Sequence, residues 1–342
     1  MSTKRVDAGP AVSPGRRNTL LAMLAAGAGM AGLAPAVAWA GQGYPRQPVR
    51  IVVGFAAGAA TDAFARVIAR KLGDALGQQF IVENKPGAAT RIGMDHVRNA
   101  KPDGYVLGFA TAVTTAFPLL FDGVTFAPGQ DFTPVAMLGR APMYLVVRDS
   151  LPVKNYAEFV EYGKKQGNLT FAHQGVGSNP HLTGMALAHA AGIKIVPVAY
   201  KGGGPMSVAL GAGEVDFGML EYAGARAMLE RGAVRLLMVT EPRRSQLRPD
   251  VPTGRELGVA TEVEGLAPWF MMIAPQGTPA DVVDTLGRHL KSALDLPDVQ
   301  EALRGLGIEA DYMDSAQAAQ YFGTQRERIA KLVRDLDISI KS

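Results

Sequence analysis

Residues 54–62, Gly-Phe-Ala-Ala-Gly-Ala-Ala-Thr-Asp, join an apolar segment to an amphipathic one and carry almost no functional side chains. The apolar residues 48–55 predict a buried strand, and apolar residues at helical spacing from Asp62 onwards predict a helix. A helix start presents unpaired N–H groups and roughly half a positive charge, which attracts a carboxylate. Glycine and alanine let that carboxylate approach the main chain. The segment therefore predicts an anion site built from backbone.

Three further segments of small and polar residues, 111–115, 175–181 and 202–205, also lie between a predicted strand and a predicted helix. Any one of them is compatible with an ordinary tight turn. Four such loops at corresponding places of two half-chains are harder to attribute to turns alone. In open α/β sheets, ligands bind at the carboxyl ends of strands. The pattern therefore predicts a ligand site to which both halves contribute.

Other chemistry finds little support in the residue types. The chain has no cysteine, which excludes disulfides, thiolate metal sites and a cysteine nucleophile. It has neither an H-E-x-x-H nor a G-x-S-x-G motif, and the phosphate-loop and dinucleotide signatures are incomplete. We expect His181 to be a first-turn helix residue that bonds its own loop. We expect no catalytic residue, no metal site and no cofactor.

Residues 1–40 have the composition of an export signal. Arg16 and Arg17 precede an apolar run at 20–33, and Ala38-Trp39-Ala40 follows as an A-x-A cleavage site. The run of about fourteen residues is shorter than the roughly 20 that span a membrane. We expect a signal peptide cleaved after Ala40 and a periplasmic protein. The arginine pair fits either a twin-arginine signal or an ordinary Sec signal.

Length and charge limit the class of protein further. A chain of 342 residues predicts two domains more readily than one. Four of the 35 basic residues and one of the 31 acidic residues lie in the first 40, so the remainder is nearly neutral. That balance excludes the clustered positive charge of a nucleic-acid-binding protein. Predicted strands alternate with predicted helices, which indicates βαβ units and a largely parallel sheet.

Six segments follow one another along the chain: GYPRQPVRIVVGFAAGAATDAFARVIARKLGDALGQQFIVENKPGAATRIG, KPDGYVLGFAT, GVGSNPHL, VAYKGGGP, GEVDFGML and APQGTPADVVDTL. In this order they resemble the Bug family, the extracytoplasmic solute receptors of tripartite tricarboxylate transporters. The resemblance covers essentially all of the chain after the signal peptide.

The resemblance implies an α/β fold of the two-domain periplasmic-binding-protein type, similar to type II, with the ligand in a cleft between the domains. It implies that domain 1 comprises 44–147 plus 270–342 and that domain 2 comprises 148–269. Two crossing hinge strands are expected at about 141–149 and 266–275.

The ligand loops of the family can be carried over to this chain residue by residue. The implied ligand-binding residues are Phe55, Ala57, Gly58, Ala60, Thr61, Asp62, Thr111, Thr114, Gly177, Ser178, Asn179, Tyr200, Lys201, Gly202, Gly203 and Glu221. Thr61 is expected either to cap the first helix or to bond the ligand. Glu221 is expected to meet a ligand ammonium or to discourage highly charged anions.

The chain departs from the family pattern at two places. It has Ala-Gly-Ala-Ala where the family usually has Pro-Gly-Gly, and Gly-Ala-Ala-Thr-Arg where the family prefers Gly-Ala-Gly-Gly-Asn. The second change introduces Arg91, which is either a second carboxylate anchor or a solvated surface residue.

The resemblance implies a periplasmic solute-binding protein that captures a small organic carboxylate and delivers it to a tripartite tricarboxylate-type membrane transporter. We expect a monomer that binds no nucleic acid and has no enzymatic activity. A ligand-sensing receptor for a membrane sensor kinase and a periplasmic enzyme acting on a small acid are the alternatives. The sequence leaves open whether the ligand is a dicarboxylate, an aromatic acid or an amino acid.

Overall fold

The computed structural model describes residues 43–120, 126–127, 129–259, 263–264 and 266–336. All of these except Gly43 belong to one unit of the chain, Tyr44–Ser342. The predicted signal peptide and its cleavage site lie outside the described residues. No helix in the described part of the chain is long and apolar enough to cross a membrane.

Strands alternate with helices along most of the chain, as the sequence predicts, except that β4 is followed directly by β5. The strands are β1 (Val49–Val53), β2 (Phe80–Asn84), β3 (Val106–Thr111), β4 (Phe132–Arg140), β5 (Met143–Arg148), β6 (Leu169–His173), β7 (Ile195–Ala199), β8 (Phe217–Glu221), β9 (Val234–Val239), β10 (Trp269–Pro275) and β11 (Glu309–Met313). The α-helices are α1 (Ala60–Leu76), α2 (Arg91–Arg98), α3 (Phe117–Leu120), α4 (Tyr156–Gln166), α5 (Asn179–Ala191), α6 (Gly203–Ala212), α7 (Tyr222–Glu230), α8 (Ala280–Leu294), α9 (Pro297–Gly305) and α10 (Ser315–Asp335).

The strands form two sheets of mixed direction. The six-stranded sheet has the order β11-β4-β10-β3-β1-β2, and the five-stranded sheet has the order β7-β6-β8-β5-β9. Strand β1 is parallel to β2 and β3, and β6 is parallel to β7 and β8. Strands β10 and β11 in the first sheet and β5 in the second are antiparallel to their neighbours. The prediction of a largely parallel sheet is therefore wrong, since only the βαβ portions are parallel.

Two chain segments pass from one sheet to the other. Strand β5 follows β4 after only Ala141 and Pro142, yet it pairs within the second sheet. Strand β10 returns from the second half to lie between β3 and β4. The two segments touch where the Ala141 N–H donates to the Pro268 carbonyl at 2.8 Å. The chain thus leaves the first sheet after Arg140 and enters the second at Met143, a few residues before the predicted domain limit at 147. The domain limits themselves stay a prediction.

Helix α1 is held on the first sheet by the apolar face that the sequence predicts. Phe64, Ile68 and Leu72 are fully buried, and the Phe64 ring makes edge contacts with Phe109 and Phe270 at centroid distances of 5.3 and 5.4 Å. Burial of one such ring contributes about 1.5–3 kcal/mol. The start of α1 is thereby fixed over the end of β1.

In the second half, α5 lies unusually close to β6. A Cβ atom added at Gly184 of α5 would stand 2.0 Å from the Phe171 ring. Phe171 in turn stacks on Phe217 with 5.0 Å between centroids. The helix can therefore sit this close only because residue 184 lacks a side chain.

The C-terminal helix α10 packs on both halves. Its Phe322 meets Phe132 and Trp269 at centroid distances of 5.3 and 5.6 Å. Further along, Ile329 and Leu332 belong to the buried cluster of the second half. This helix is therefore a third link between the sheets.

Candidate ligand-binding site

The loop from β1 to α1 leaves the start of the helix open. Ala56, Ala57 and Gly58 are exposed, and the N-cap is Ala59, whose side chain accepts no hydrogen bond. The first N–H groups of a helix have no partner within it. Thr61 lies inside the first turn and is buried, so the prediction that it caps the helix is wrong. The first turn, including Ala60 and Thr61, has no capping side chain.

Gly58 has a backbone conformation that side chains rarely adopt. Its φ is +88°, and a Cβ atom added there would meet no protein atom within 4 Å. The glycine is required by the backbone angle, and the space beside it is empty of protein. Its own N–H donates to Asp62 Oδ2 at 2.9 Å, so this group is not free for a ligand.

The buried carboxylate of Asp62 holds the loop through hydrogen bonds. Its side chain is 3% exposed and accepts hydrogen bonds from Gly58, from Arg66 Nε at 3.0 Å and from Asn84 Nδ2 at 2.9 Å. Asn84 also donates to the Phe55 carbonyl at 3.0 Å. The hydrogen bond from Arg66 is the main cause that lowers the pKa of Asp62 to about 2. The carboxylate is therefore ionised and engaged with protein groups.

The second loop of this half follows β3 as a short 3₁₀ helix, Ala112–Ala116. Thr111 and Thr114 are buried, and Thr114 Oγ1 donates to the Thr111 carbonyl at 2.7 Å. Thr115 Oγ1 donates to the Ala112 carbonyl at 2.6 Å. The hydroxyl protons of Thr114 and Thr115 are thus used to hold the turn.

A third turn, Ala88–Thr90, lies beside the Ala112–Ala116 turn. Arg91, which follows it, pairs with Asp95 one turn along α2 at 3.1 Å. The ion pair places Arg91 in a side-chain network of its own helix, which also includes Arg98.

In the second half, Ser178 caps α5. Its Oγ accepts from the His181 backbone N–H at 3.3 Å and donates to the Gly175 carbonyl at 2.7 Å. Asn179 Nδ2 donates to the Leu266 carbonyl at 2.6 Å. These hydrogen bonds place both predicted ligand-binding side chains in the framework of the loop.

Two neutral histidines fix the same loop. Nδ1 of His173 accepts from the Gly175 N–H at 3.2 Å, and Nδ1 of His181 accepts from the Gly177 N–H at 3.3 Å. Their rings are 4.5 Å apart and buried. Burial lowers the pKa of both residues, and the nearby His173 lowers that of His181 further, to about 4. The prediction that His181 bonds its own loop is confirmed.

The start of α6 is the open helix end of the second half. Its N-cap is Gly202, with φ of +99° and no side-chain cap. The Tyr200 N–H donates to the His173 carbonyl at 2.8 Å, and the Gly202 N–H donates to the Tyr200 carbonyl at 2.9 Å. Lys201 is exposed, and the first turn starts with Gly203. These backbone hydrogen bonds order the loop, and the Tyr200 side chain packs on the buried cluster of the second half.

Glu221 ends β8 beside this loop. Its Oε2 lies 3.5 Å from Gln174 Nε2, and burial raises the pKa of its carboxyl above the ordinary value. The same Gln174 nitrogen lies 3.1 Å from the position of a Cβ on Gly203. Gln174 thus joins the Glu221 carboxyl to the start of α6, and sequence reasoning missed it because no motif marks it.

Each sheet gathers its own set of predicted residues. The loops after β1 and β3 share one edge of the first sheet, and those after β6, β7 and β8 share one edge of the second, because these strands are parallel within each set. In the described part of the chain, no group of three or more His, Asp or Glu side chains is placed to hold a metal ion.

Two mixed sheets, ten α-helices in the described residues and strand-end loops in both halves define the class of the periplasmic binding proteins. The fold is similar to that of a TctC solute binding protein from Polaromonas, with a TM-score of 0.77 and 26% identity over 86% of this chain and 100% of the other. The chain belongs to the tripartite tricarboxylate transporter family receptor group, TctC, whose family model matches residues 64–338. The protein BugT of Bordetella pertussis is 31% identical over 301 residues, which are 87% of this chain and 92% of BugT.

Two similar structures contain organic acids. MatC from Rhodopseudomonas palustris has bound malate; its TM-score is 0.68 and its identity 32%, over 85% of this chain and 100% of that one. Another R. palustris protein was solved with adipate; its TM-score is 0.72 and its identity 30%, over 86% of this chain and 99% of that one.

Proposed function

We propose that this protein is a periplasmic receptor that binds a small organic carboxylate and delivers it to the membrane subunits of a tripartite tricarboxylate-type transporter. The observation that carries the proposal is the uncapped start of α1, reached through the exposed loop 56–58. A carboxylate at a helix N-terminus gains about 0.3–1 kcal/mol from the helix dipole, and more where water is excluded. The acids bound by the two R. palustris relatives support the same ligand class.

The second half supports a ligand of low net charge. Among the predicted site residues, the cation Lys201 is exposed, whereas the Glu221 carboxyl is held beside the start of α6. An anionic group near Glu221 would be repelled when that carboxyl is ionised. We propose that the ligand has at most two carboxylates, and that an ammonium group of an amino acid is accepted at Glu221.

The proposal involves binding without turnover. An activated serine donates its proton to a histidine ring, whereas the Ser178 hydroxyl donates to the Gly175 carbonyl. His181 Nδ1 is occupied by the Gly177 N–H. Neither group is arranged as a nucleophile–base pair, which supports a receptor over an enzyme.

We propose that residues 1–40 direct export and are removed after Ala40. Sequencing the amino terminus of the periplasmic protein should give Gly41 first. Replacing Arg16 and Arg17 by lysine blocks export on the twin-arginine route, whereas unchanged periplasmic yield assigns the Sec route. Elution as a monomer in size-exclusion chromatography is expected.

A thermal-shift panel tests the function. Malate, adipate, citrate, aspartate, glutamate and benzoate are each added to the purified mature protein. A ligand at 100 times its Kd stabilises the folded state by about 2.7 kcal/mol, which raises the midpoint by roughly 4 °C for a chain of about 300 residues. Closure on the ligand should also reduce the radius of gyration in X-ray scattering.

Two further measurements with the same acids separate the alternatives. Chemical conversion of an added acid would favour the enzyme, and ligand-dependent contact with a membrane sensor would favour the sensing receptor. A panel that gives neither stabilisation nor compaction contradicts the carboxylate-receptor proposal.

A further inference from the structure

Thr90 combines a strained backbone with an unused hydroxyl. Its φ is +76°, in the left-handed region that β-branched residues avoid. The residue is 5% exposed, and within the described part of the chain its buried Oγ1 has no hydrogen-bond partner. A buried hydroxyl without a partner is costly, so native structures rarely retain one without a reason.

Thr90 lies between the two loops that form the first half of the site. A Cβ atom added at Gly54, where the β1–α1 loop begins, would lie 2.5 Å from Thr90 Cβ and 3.1 Å from its Cγ2. On its other side the turn Ala88–Thr90 contacts the turn Ala112–Ala116. Thr90 Cβ and its methyl group therefore pack on Gly54, and the turn that carries them lies between the two loops.

The neighbouring threonines show what a structural hydroxyl does here. Thr114 and Thr115 donate to the Thr111 and Ala112 carbonyls at 2.7 and 2.6 Å. Each closes its own turn, and both are at least as buried as Thr90. In contrast to Thr114 and Thr115, Thr90 has a hydroxyl oxygen that forms no hydrogen bond with any described protein atom. Its partner is therefore to be sought outside the protein.

We propose that the Thr90 hydroxyl is a ligand-binding group that donates to a carboxylate oxygen of the acid bound at the start of α1. This inference rests on the proposed function. It adds a side-chain contact to a half-site otherwise made of backbone N–H groups, at a position that the motif comparison did not assign. The strain at Thr90 is then maintained to place its hydroxyl between the two loops.

The experiment compares Thr90→Val, Thr90→Ser and the matched control Thr278→Val, which is also a buried threonine. Affinity is measured by calorimetry for malate, adipate and every other acid of the panel that stabilises the wild type. Unfolding midpoints are measured without any acid. For Thr90→Val we expect an affinity lowered by about 10- to 150-fold, in the range of one lost hydrogen bond to a charged group, and an unchanged or higher midpoint. Thr90→Ser should stay within about threefold of wild-type affinity. Thr278→Val should lower the midpoint and leave the affinity unchanged, because the Thr278 hydroxyl donates to the Pro275 carbonyl at 2.8 Å, outside the predicted ligand loops.

Two results would overturn the inference while leaving the function intact. One is wild-type affinity in Thr90→Val, which would mean that water alone satisfies the hydroxyl. The other is a lower midpoint of Thr90→Val without acid, which would mean that the hydroxyl has a structural partner. Failure of the function itself is seen in the wild type, which would then bind none of the acids, and the inference falls with it.

Discussion

Helices α1 and α5 both follow a strand and a glycine-containing loop, yet their first turns are built differently. The N-cap of α1 is Ala59, which offers no acceptor, whereas the N-cap of α5 is Ser178, which accepts from His181. The first turn of α5 is thus partly satisfied by its own loop, and that of α1 is left for another group. In the second half the open end belongs to α6, behind Gly202. Loops that are equivalent by sequence therefore differ in whether a side chain of the loop caps the helix that follows.

The two loops are also fixed by different kinds of group. An ionised carboxylate, Asp62, holds the loop before α1, whereas neutral rings of His173 and His181 hold the loop before α5. Ionised and neutral anchors respond to pH in different ranges. Substituting Asp62 or His181 separately therefore tests how each loop is held.

The largest effect is expected from Asp62→Ala. It removes the acceptor for Gly58, Arg66 and Asn84, and we expect a loss of about 3 kcal/mol in the free energy of unfolding. Because Arg66 is half exposed, the value lies at the low end for a broken buried pair. Urea unfolding gives the stability, and hydrogen exchange should show faster exchange in residues 54–59. Asp74→Ala, on the exposed side of the same helix, is the control. Equal effects of the two variants would contradict the anchoring role.

Acid should weaken the loop before α5 at a higher pH than the loop before α1. The unfolded chain protonates His181 near its ordinary pKa of 6.5, and the folded protein only near 4. The stability that depends on the neutral ring is complete above pH 6.5 and falls as the pH drops through 4, by up to about 3 kcal/mol. The pKa of Asp62 is lowered from 3.8 to about 2. The stability that depends on its ionised carboxylate is therefore complete above pH 3.8 and is lost as the pH falls through about 2.

The variant His181→Asn isolates the histidine contribution. Its side-chain oxygen can replace Nδ1 as the acceptor for Gly177, but it does not titrate in this range. We expect a smaller loss of stability between pH 6.5 and 4 than in the wild type, with exposed His189→Asn of the same helix as the control. If His181→Asn lost as much stability between pH 6.5 and 4 as the wild type, His181 would not be the group responsible. The raised pKa values of Glu221 and Glu241 act in the opposite direction and are common to all three proteins.

Gly58→Ala tests the open end of α1. The positive φ makes any side chain cost about 1 kcal/mol of stability, but no protein atom is close enough to clash. We expect the added methyl group to reduce affinity for the stabilising acids at least tenfold, because it projects into space free of protein. Gly232→Ala, also at positive φ with nothing nearby, should cost similar stability and spare binding. Normal affinity in Gly58→Ala would place the ligand elsewhere.

The smallest effect is expected from Ser178→Ala. Loss of an N-cap serine lowers stability by about 1 kcal/mol. Its hydroxyl proton is already donated to Gly175, so we expect the affinity to change less than twofold. A loss of affinity as large as that of Gly58→Ala would show that α5 contacts the ligand directly, and the contrast between the two helices would then disappear.

Much of this architecture could be predicted because it depends on local pattern. The spacing of Phe64, Ile68 and Leu72 gives the buried face of α1, and Gly77 ends that helix at φ +67° as a C-cap glycine should. The order of the motifs identified the family, which the family model confirms. The ligand-binding residues remain a prediction supported by their position at the strand ends.

The features that the sequence does not predict depend on contacts between residues far apart in the chain. Asn84 reaches Asp62 only because β2 pairs beside β1, and the direction of β5 follows from its crossing to the second sheet. The signal for Arg66 was present, since it stands four residues after Asp62. From the sequence, Thr90 is only part of a departure from the family pattern, because neither its φ nor its unpaired hydroxyl can be inferred from residue type.

The strand order of the first sheet has a consequence for the sequence of events in folding. Strands β3 and β4 have no common neighbour until β10 has been synthesised, and β4 lacks its outer partner until β11 follows. The second sheet needs only residues 143–239 and can pair its strands earlier. Pairings between distant segments close slowly, and unpaired strand edges are sites of aggregation. A chain that stops before Trp269 therefore exposes the edges of β3 and β4, and the last part of the chain to be made is the part that protects the first.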